Sequence, residues 1–193
     1  MSSSAFADAG GATITSTNGT YPVTLEGSQT GGKHRFVVNG AVTECETATF
    51  TSGSLSAPTG TLTITPNYGG AGACEMFGIK GATITVNGCD YRLTSVAGGA
   101  TTAKVTIECP AGQQITFDTP FNVCDLHVKP QGGLGHVTYA NAGGHVTLTL
   151  NVTGIHAVQT GAFCPVMPGT YTTATYTGSV TLKGAGGKAI DVS

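Results

Sequence analysis

Branched apolar residues alternate with threonine along most of this chain, and this period of two restricts the fold more than any other feature. The pattern recurs at residues 12–16, 61–65, 82–86, 146–152 and 179–182. Such alternation predicts strands with one face in a core and the other in water. Glycine-rich turns separate these segments, and no long stretch shows the 3.6-residue period of a helix. We therefore expect an all-β fold, an antiparallel β-sandwich.

The six cysteines are an even set, which favours disulfides. None forms a C-x-x-C pair, and none has a histidine at zinc-finger spacing. We expect about three disulfides to staple the sandwich. Such bonds persist in oxidising compartments, so the protein is expected to be extracellular or on a cell surface. The disulfide residues are Cys45, Cys74, Cys89, Cys109, Cys124 and Cys164.

One disulfide can be argued from local register. A hairpin that turns at residues 98–99 opposes three pairs of residues: Leu93 with Val105, Tyr91 with Ile107, and Cys89 with Cys109. Directly opposed residues lie ~4.5–5.5 Å apart at Cα, which is within disulfide range.

A second hairpin is predicted to turn at residues 140–144. Cys124 and Cys164 bracket it, which suggests a second disulfide, and elimination then pairs Cys45 with Cys74. Six cysteines allow about fifteen connectivities, so these two pairings stay open.

The domain organisation is expected to be simple. Residues 1–11 resemble a flexible leader or a tag remnant, because Ala5-Phe6-Ala7 has the small-residue form of a signal cleavage site. Residues 12–193 are expected to form a single sandwich. The alternative is two stacked β subdomains, at residues 12–110 and 111–193.

Histidines are the first candidates for a reactive site. A metal ion would need three or four converging side chains. A turn centred on Ala142 places Tyr139, not His136, opposite His145, so the two histidines fall on opposite faces. We expect isolated histidines at the surface or rim, with no metal site. The five are His34, His127, His136, His145 and His156.

Carboxylates are the second candidates. Glu44 and Glu46 flank Cys45 on one strand face, ~6–7 Å apart, a separation that glycoside hydrolysis can use. The chain has no Trp, however, with six Tyr and seven Phe to line a sugar cleft. We expect the carboxylates to be dispersed, with no two sharing a buried pocket beside a histidine: Glu44, Glu46, Glu75, Asp90, Glu108, Asp118 and Asp125.

Other catalytic signatures are missing from the sequence. It has no G-x-S-x-G elbow, no Asp-rich calcium loop and, with every cysteine in a disulfide, no free thiolate. We therefore assign no catalytic, metal or cofactor-binding residue and expect no cofactor.

Composition narrows the set of partners. Eight Lys plus Arg stand against ten Asp plus Glu, so no basic field is available to bind a nucleic acid. No apolar run reaches the ~20 residues of a membrane-spanning helix. Repeated Thr-x-Thr segments suggest a threonine face for carbohydrate or ice, although their irregular spacing argues against alignment on one sheet.

Several segments together resemble a known group of proteins. They are "ATFTSG", "VNGCDYRL", "KVTIECPAG", "CDLHVKPQGGLGHVTYAN" and "YTGSVTLKG", within residues 42–193. They are similar to uncharacterised secreted, cysteine-containing all-β bacterial proteins of the actinobacterial type. The resemblance implies secretion and disulfides, and it carries no catalytic residues.

These observations favour a non-catalytic role. We expect a secreted or cell-surface structural, adhesive or binding module with a surface polymer or glycan as partner. Self-assembly is a further expectation, through edge strands or through donation of the N-terminal strand near residues 12–17 to a neighbour. The alternatives are a secreted hydrolase with a Glu/Asp/His site that matches no motif, and carbohydrate or ice binding through a Thr-rich face.

Overall fold

The computed structural model describes residues 11–98, 101–161 and 164–193. The expected leader, residues 1–11, lies outside these ranges except for its last residue. The described residues form sixteen strands and two single-turn 3-10 segments, Pro120–Asn122 and Ala185–Gly187, with no α-helix. The strands are β1 (Ile14–Ser16), β2 (Val23–Gln29), β3 (His34–Val38), β4 (Ala41–Cys45), β5 (Thr49–Leu55), β6 (Thr61–Asn67), β7 (Cys74–Met76), β8 (Ile79–Thr85), β9 (Asp90–Ser95), β10 (Thr102–Glu108), β11 (Ile115–Asp118), β12 (Asp125–Val128), β13 (Gln131–Asn141), β14 (Val146–Thr160), β15 (Gly169–Gly184) and β16 (Ile190–Val192).

The strands from β2 to β15 form one closed barrel. The chain crosses it eight times; the first six passes are each broken into two strands, and the last two are the long strands β14 and β15. Each pass pairs with the next in antiparallel orientation, and β15 closes the barrel on β2 and β3. The barrel includes strands from both sides of residue 110.

One core fills the interior, since the inward residues of each strand are apolar and the outward ones are mostly polar. Opposite walls touch across it: the Phe36 and Phe117 ring centroids are 4.9 Å apart. The expected all-β, antiparallel fold with about three disulfides is confirmed. The two walls pack as the layers of a sandwich do, but they are joined at both edges.

The structure confirms the first predicted hairpin and corrects the second. Val105 pairs with Leu93 and Ile107 with Tyr91, as expected, while residue 99 of the turn lies outside the described residues. In the second hairpin Tyr139 pairs with Leu148, so the predicted opposition of Tyr139 and His145 is wrong. The turn comprises residues 142–145, because Gly143 and Gly144 take positive φ angles of 65° and 86° there.

All six cysteines are in disulfides, with the pairings that the sequence suggested: Cys45–Cys74, Cys89–Cys109 and Cys124–Cys164. The first two join strands or turns that are neighbours in the barrel. The third ties the turn after β11 to the loop after β14. Disulfides of this kind are typical of proteins from oxidising compartments.

Strands β1 and β16 form a separate two-stranded ribbon over one end of the barrel. The Asn141 amide at the end of β13 holds it, accepting from the Val192 backbone N–H at 2.7 Å and donating to the Val192 carbonyl at 2.8 Å. Ile14, Ile190 and Val192 of the ribbon are buried.

This arrangement corrects the expected mode of self-association. Closure of the barrel pairs most of the described strand length on both sides, and β15 keeps a short unpaired side at Gly169–Ala174, beyond its pairing with β3. The N-terminal strand, expected to be loose enough for donation, pairs with the same chain's β16.

Candidate functional site

A chain of four hydrogen-bonded polar side chains, three of them buried and one half-buried, crosses the barrel interior. His34 Nδ1 lies 2.5 Å from the Tyr176 hydroxyl, which lies 2.9 Å from the Tyr68 hydroxyl. The Tyr68 hydroxyl in turn lies 2.8 Å from that of Tyr91. At the other end, His34 Nε2 is 3.3 Å from the Ser179 carbonyl. Strands β3 and β15 supply two of these groups from one side of the barrel, and β9 and the residue after β6 supply the other two from the opposite side.

The Ser179 carbonyl determines which group donates in each of these hydrogen bonds, because it can only accept one. His34 Nε2 therefore carries the proton, and a neutral imidazole then accepts at Nδ1. It follows that Tyr176 donates to His34, Tyr68 donates to Tyr176, and Tyr91 donates to Tyr68. Every proton in the chain has one acceptor.

Burial keeps all four groups uncharged near neutral pH. It lowers the pKa of His34, an effect that the Ser179 carbonyl partly offsets. Burial raises the pKa of Tyr91 to about 12 and raises those of Tyr68 and Tyr176 well above the usual value for tyrosine. A general base that works near neutral pH needs a pKa close to that pH, whereas burial moves the pKa values of these groups away from it. The four side chains therefore form a neutral hydrogen-bond network that stabilises the core.

The cavity beside this network is small. Its volume is about 40 Å³, and its lining is almost entirely apolar. Thr43 contributes a hydroxyl that is buried and has no hydrogen-bond partner. A water molecule needs roughly 10–15 Å³ of such space, so the cavity can hold water beside Thr43 but no organic substrate.

The histidines do not converge. His34 is 2% exposed, so the expectation that every histidine lies at the surface or rim is wrong for it. His127, His136 and His156 are on outward positions of strands, and His145 is in a turn. No group of three His, Cys, Asp or Glu side chains that could hold a metal ion occurs among the described residues.

Glu44 and Glu46 lie on the outer surface of the barrel. Lys33 Nζ lies 2.7 Å from a Glu46 oxygen and 3.5 Å from a Glu44 oxygen, and Arg35 Nε lies 2.8 Å from the other Glu44 oxygen. Two cations therefore hold the carboxylates in a surface ion-pair network.

A different carboxylate pair does come together, and sequence reasoning missed it. Asp118 of β11 is directly opposite Asp125 of β12, and His127 lies two residues along the same face. Burial raises the pKa of Asp125 and the charge of Asp118 raises it further, whereas His127 lowers it. One Asp125 oxygen and His127 Nδ1 are buried without a partner.

The expected dispersal of carboxylates is therefore wrong: Glu44 with Glu75 and Asp90 with Glu108 are also directly opposed, and Asp118 with Asp125 is the opposed pair beside a histidine. The signal was present in the sequence, since the two residues stand at either end of the short segment 119–124. If that segment is a hairpin turn, its ends must face each other. The pair lies on the outer wall, and neither residue lines the interior cavity.

The barrel end opposite the ribbon carries exposed apolar side chains. Among the described residues, Phe121 and Met167 are the large hydrophobic side chains that remain exposed, at 97% and 79%. Phe121 has a φ of 65°, a left-handed conformation that is uncommon for a bulky residue. The Cys124–Cys164 disulfide ties together the two segments that carry these side chains.

Threonine side chains align on the outer wall more than their spacing along the chain suggested. One row of directly opposed residues crosses six strands in register. It consists of Ala140, Thr147, Thr181, Ser28, Thr49 and Asn67. Five of these six residues carry a hydroxyl or an amide, and none carries a charge.

Comparison with protein-family models, with curated proteins and with solved structures found no match for this chain. No helix among the described residues is long and apolar enough to cross a membrane.

Proposed function

We propose that this protein is an extracellular, non-catalytic module that binds or adheres through its outer surface. The observation that carries the proposal is the interior of the barrel. Eight-pass barrels hold a ligand only when their interior is left open. Here the cavity is about 40 Å³, and the polar groups beside it, apart from Thr43, are paired with one another.

The covalent framework supports an extracellular location and a display role. Three disulfides close loops of 20 to 40 residues, each stabilising the fold by ~2–4 kcal/mol through restriction of the unfolded chain. A closed barrel with such staples presents surface groups without changing shape. That rigidity suits adhesion, because little conformational entropy is lost on binding.

A hydrolase is the second candidate, and one observation favours it. Asp118 and Asp125 oppose each other beside His127, and a carboxyl group whose pKa is raised, as that of Asp125 is, can serve in acid–base catalysis. The position on the outer wall of the barrel speaks against it, since a catalytic pair needs a site that excludes water.

The deciding experiment compares the wild-type protein with Asp125→Asn. Both are incubated with chromogenic esters, glycosides, phosphate esters and peptides between about pH 4 and pH 9. We expect no turnover above the buffer rate from either protein. Hydrolysis by the wild type that disappears in Asp125→Asn would replace the binding module with the hydrolase.

Assembly is tested separately by light scattering and negative-stain electron microscopy. Because the barrel closes on itself and β1 pairs within its own chain, we expect a monomer without filaments. Filaments would restore the structural, self-assembling form of the proposal.

A further inference from the structure

We propose that the outer wall over β15, β2, β5 and β6 is a binding groove for a neutral, hydroxyl-rich linear polymer, that is, an uncharged polysaccharide. This inference rests on the proposed function and gives it a surface and a ligand class. The groove is called the hydroxyl groove below. It consists of two adjoining depressions that share Thr49 and Thr51.

Two parallel rows of side chains line the groove. The first belongs to the row of directly opposed residues that crosses six strands, which we call the hydroxyl row; it contributes Thr181, Ser28, Thr49 and Asn67. The second lies two residues along each strand and contributes Lys183, Glu26, Thr51 and Thr65. Neighbouring strands are ~4.8 Å apart, so the polar groups within each row are separated by about the length of one sugar ring.

The depressions are large enough for several sugar units. The first has a volume of about 380 Å³ above β15, β2 and β5. The second has a volume of about 520 Å³ and continues past β6 to Thr83, Thr85 and Asn87. Both open to solvent and share a border, so an extended chain can enter from the side and lie across the strands.

Gly27 explains why the outer wall is concave at this point. A Cβ built on Gly27 would lie 2.8 Å from Leu182 Cδ2 and 2.9 Å from Val180 Cγ1. The backbone of β2 therefore lies closer to the core than any residue with a side chain would permit. Gly27 and Phe50 belong to the lining of the first depression, between its two rows of polar groups.

The chemistry of the groove selects a neutral ligand that both donates and accepts hydrogen bonds. Hydroxyls and amides do both, as sugar hydroxyls do. The charged groups lining the two depressions are Lys183 and Glu26, which are directly opposed in register and cancel in net charge. A polyanion or polycation would find no complementary field there.

The curvature of the outer wall favours a flexible polymer as the ligand and disfavours a flat ice surface. The hydroxyl row crosses six strands of a barrel that closes after eight passes, so it bends around most of the circumference. A rigid planar lattice can meet only two or three of those strands at once. A polysaccharide chain can follow the bend.

The test is affinity electrophoresis in native gels that contain one polymer each. The probes are hydroxyethyl cellulose, dextran and galactomannan as neutral polymers, with polygalacturonate as a charged comparison. Tyrosine fluorescence gives a second readout, because the chain has no Trp and Tyr68 lines the second depression. Binding is measured at low and high salt.

Two variants remove groove hydroxyls while keeping β-branched shape: Thr49→Val and Thr181→Val. The matched control is Thr94→Val, an exposed threonine on β9 outside the groove. Each groove variant should weaken binding about three- to tenfold, the change expected for one lost hydrogen bond, and the control should bind as the wild type does. Thermal unfolding checks that all three variants remain folded.

The outcomes separate this inference from the proposed function. Retention by a neutral polymer, insensitive to salt and weakened only by the groove variants, supports the hydroxyl groove. Failure of every neutral polymer to retain the protein, or equal binding by Thr49→Val and the wild type, overturns the groove and leaves the module proposal standing. Salt-sensitive binding to polygalacturonate alone, or thermal hysteresis in freezing solution, overturns the ligand class. Hydrolysis of a polymer would instead overturn the module.

Discussion

Replacing Tyr176 by Phe tests whether the buried polar chain stabilises the barrel. Tyr176 stands in the middle of the chain, where its hydroxyl donates to His34 and accepts from Tyr68. Phenylalanine fills nearly the same space, so the change removes two hydrogen bonds and little packing. It leaves the His34 acceptor and the Tyr68 donor without partners.

The size of the loss follows from those two orphaned groups. Each buried group that loses its partner costs ~1–3 kcal/mol. A water molecule in the cavity beside the chain can recover part of this, since about 40 Å³ is available. We expect a net destabilisation of ~2–3 kcal/mol. For a chain of this size that lowers the melting temperature by roughly 5–10 °C.

Tyr139→Phe is the matched control. Tyr139 is also buried, but its hydroxyl makes no hydrogen bond with the described part of the chain. Its loss should cost under about 0.5 kcal/mol. Both variants are compared by reversible denaturant unfolding with the disulfides intact. Equal stability of Tyr176→Phe and Tyr139→Phe would refute the directed hydrogen-bond chain.

Further predictions concern the same core and the two unusual titrating groups. Gly178→Ala should cost ~1–3 kcal/mol, because its Cβ would collide with the His34 ring, whereas Gly53→Ala has open space and should be nearly neutral; urea unfolding of both checks this. Burial lowers the pKa of His34, so the stability that depends on its neutral form is complete above about pH 6.5 and is lost as the pH falls. The free energy of unfolding of the wild type should therefore decrease between pH 7 and pH 5. The His34→Gln variant should not show this decrease. The raised pKa of Asp125 has the opposite effect, because stability is lost as the pH rises through that pKa. The Asp125→Asn variant should therefore gain stability relative to the wild type near neutral pH. A difference in unfolding free energy between the two proteins that does not change with pH would contradict this. Thiol labelling of the unreduced, denatured protein should find no free cysteine, and two reactive thiols would contradict the disulfide set.

The fold class could be predicted because its signals are local. Alternation of apolar and polar residues shows which side of a strand faces the core, and opposed residues such as Leu93 and Val105 define a hairpin. The Cys89–Cys109 pair followed from that register. The second hairpin shows the limit, since a shift in the position of the turn between Tyr139 and Leu148 changed which residues oppose each other.

The candidate sites were harder to predict because they join residues far apart in the chain. In the sequence His34 has the pattern of an ordinary strand residue. No nearby residue indicates its contact with Tyr176, which lies 142 positions away. The row through Ser28, Thr49 and Thr181 is similar, because its alignment depends on the register of strands that only the closed barrel brings together. The opposition of Asp118 and Asp125 was local and could have been predicted from the intervening turn.

The sequence by itself determined the strands, most of the turns, the oxidised cysteines and the absence of any basic or reactive motif. These follow from side-chain periodicity, backbone freedom at glycine, and composition, which act over a few residues. Tertiary structure alone decided that the sheet closes, that the interior fills, and that hydroxyls from distant strands share one groove. Pairing of β15 with β2 requires closure of a loop of about 150 residues, and its register is selected only when the whole core is packed.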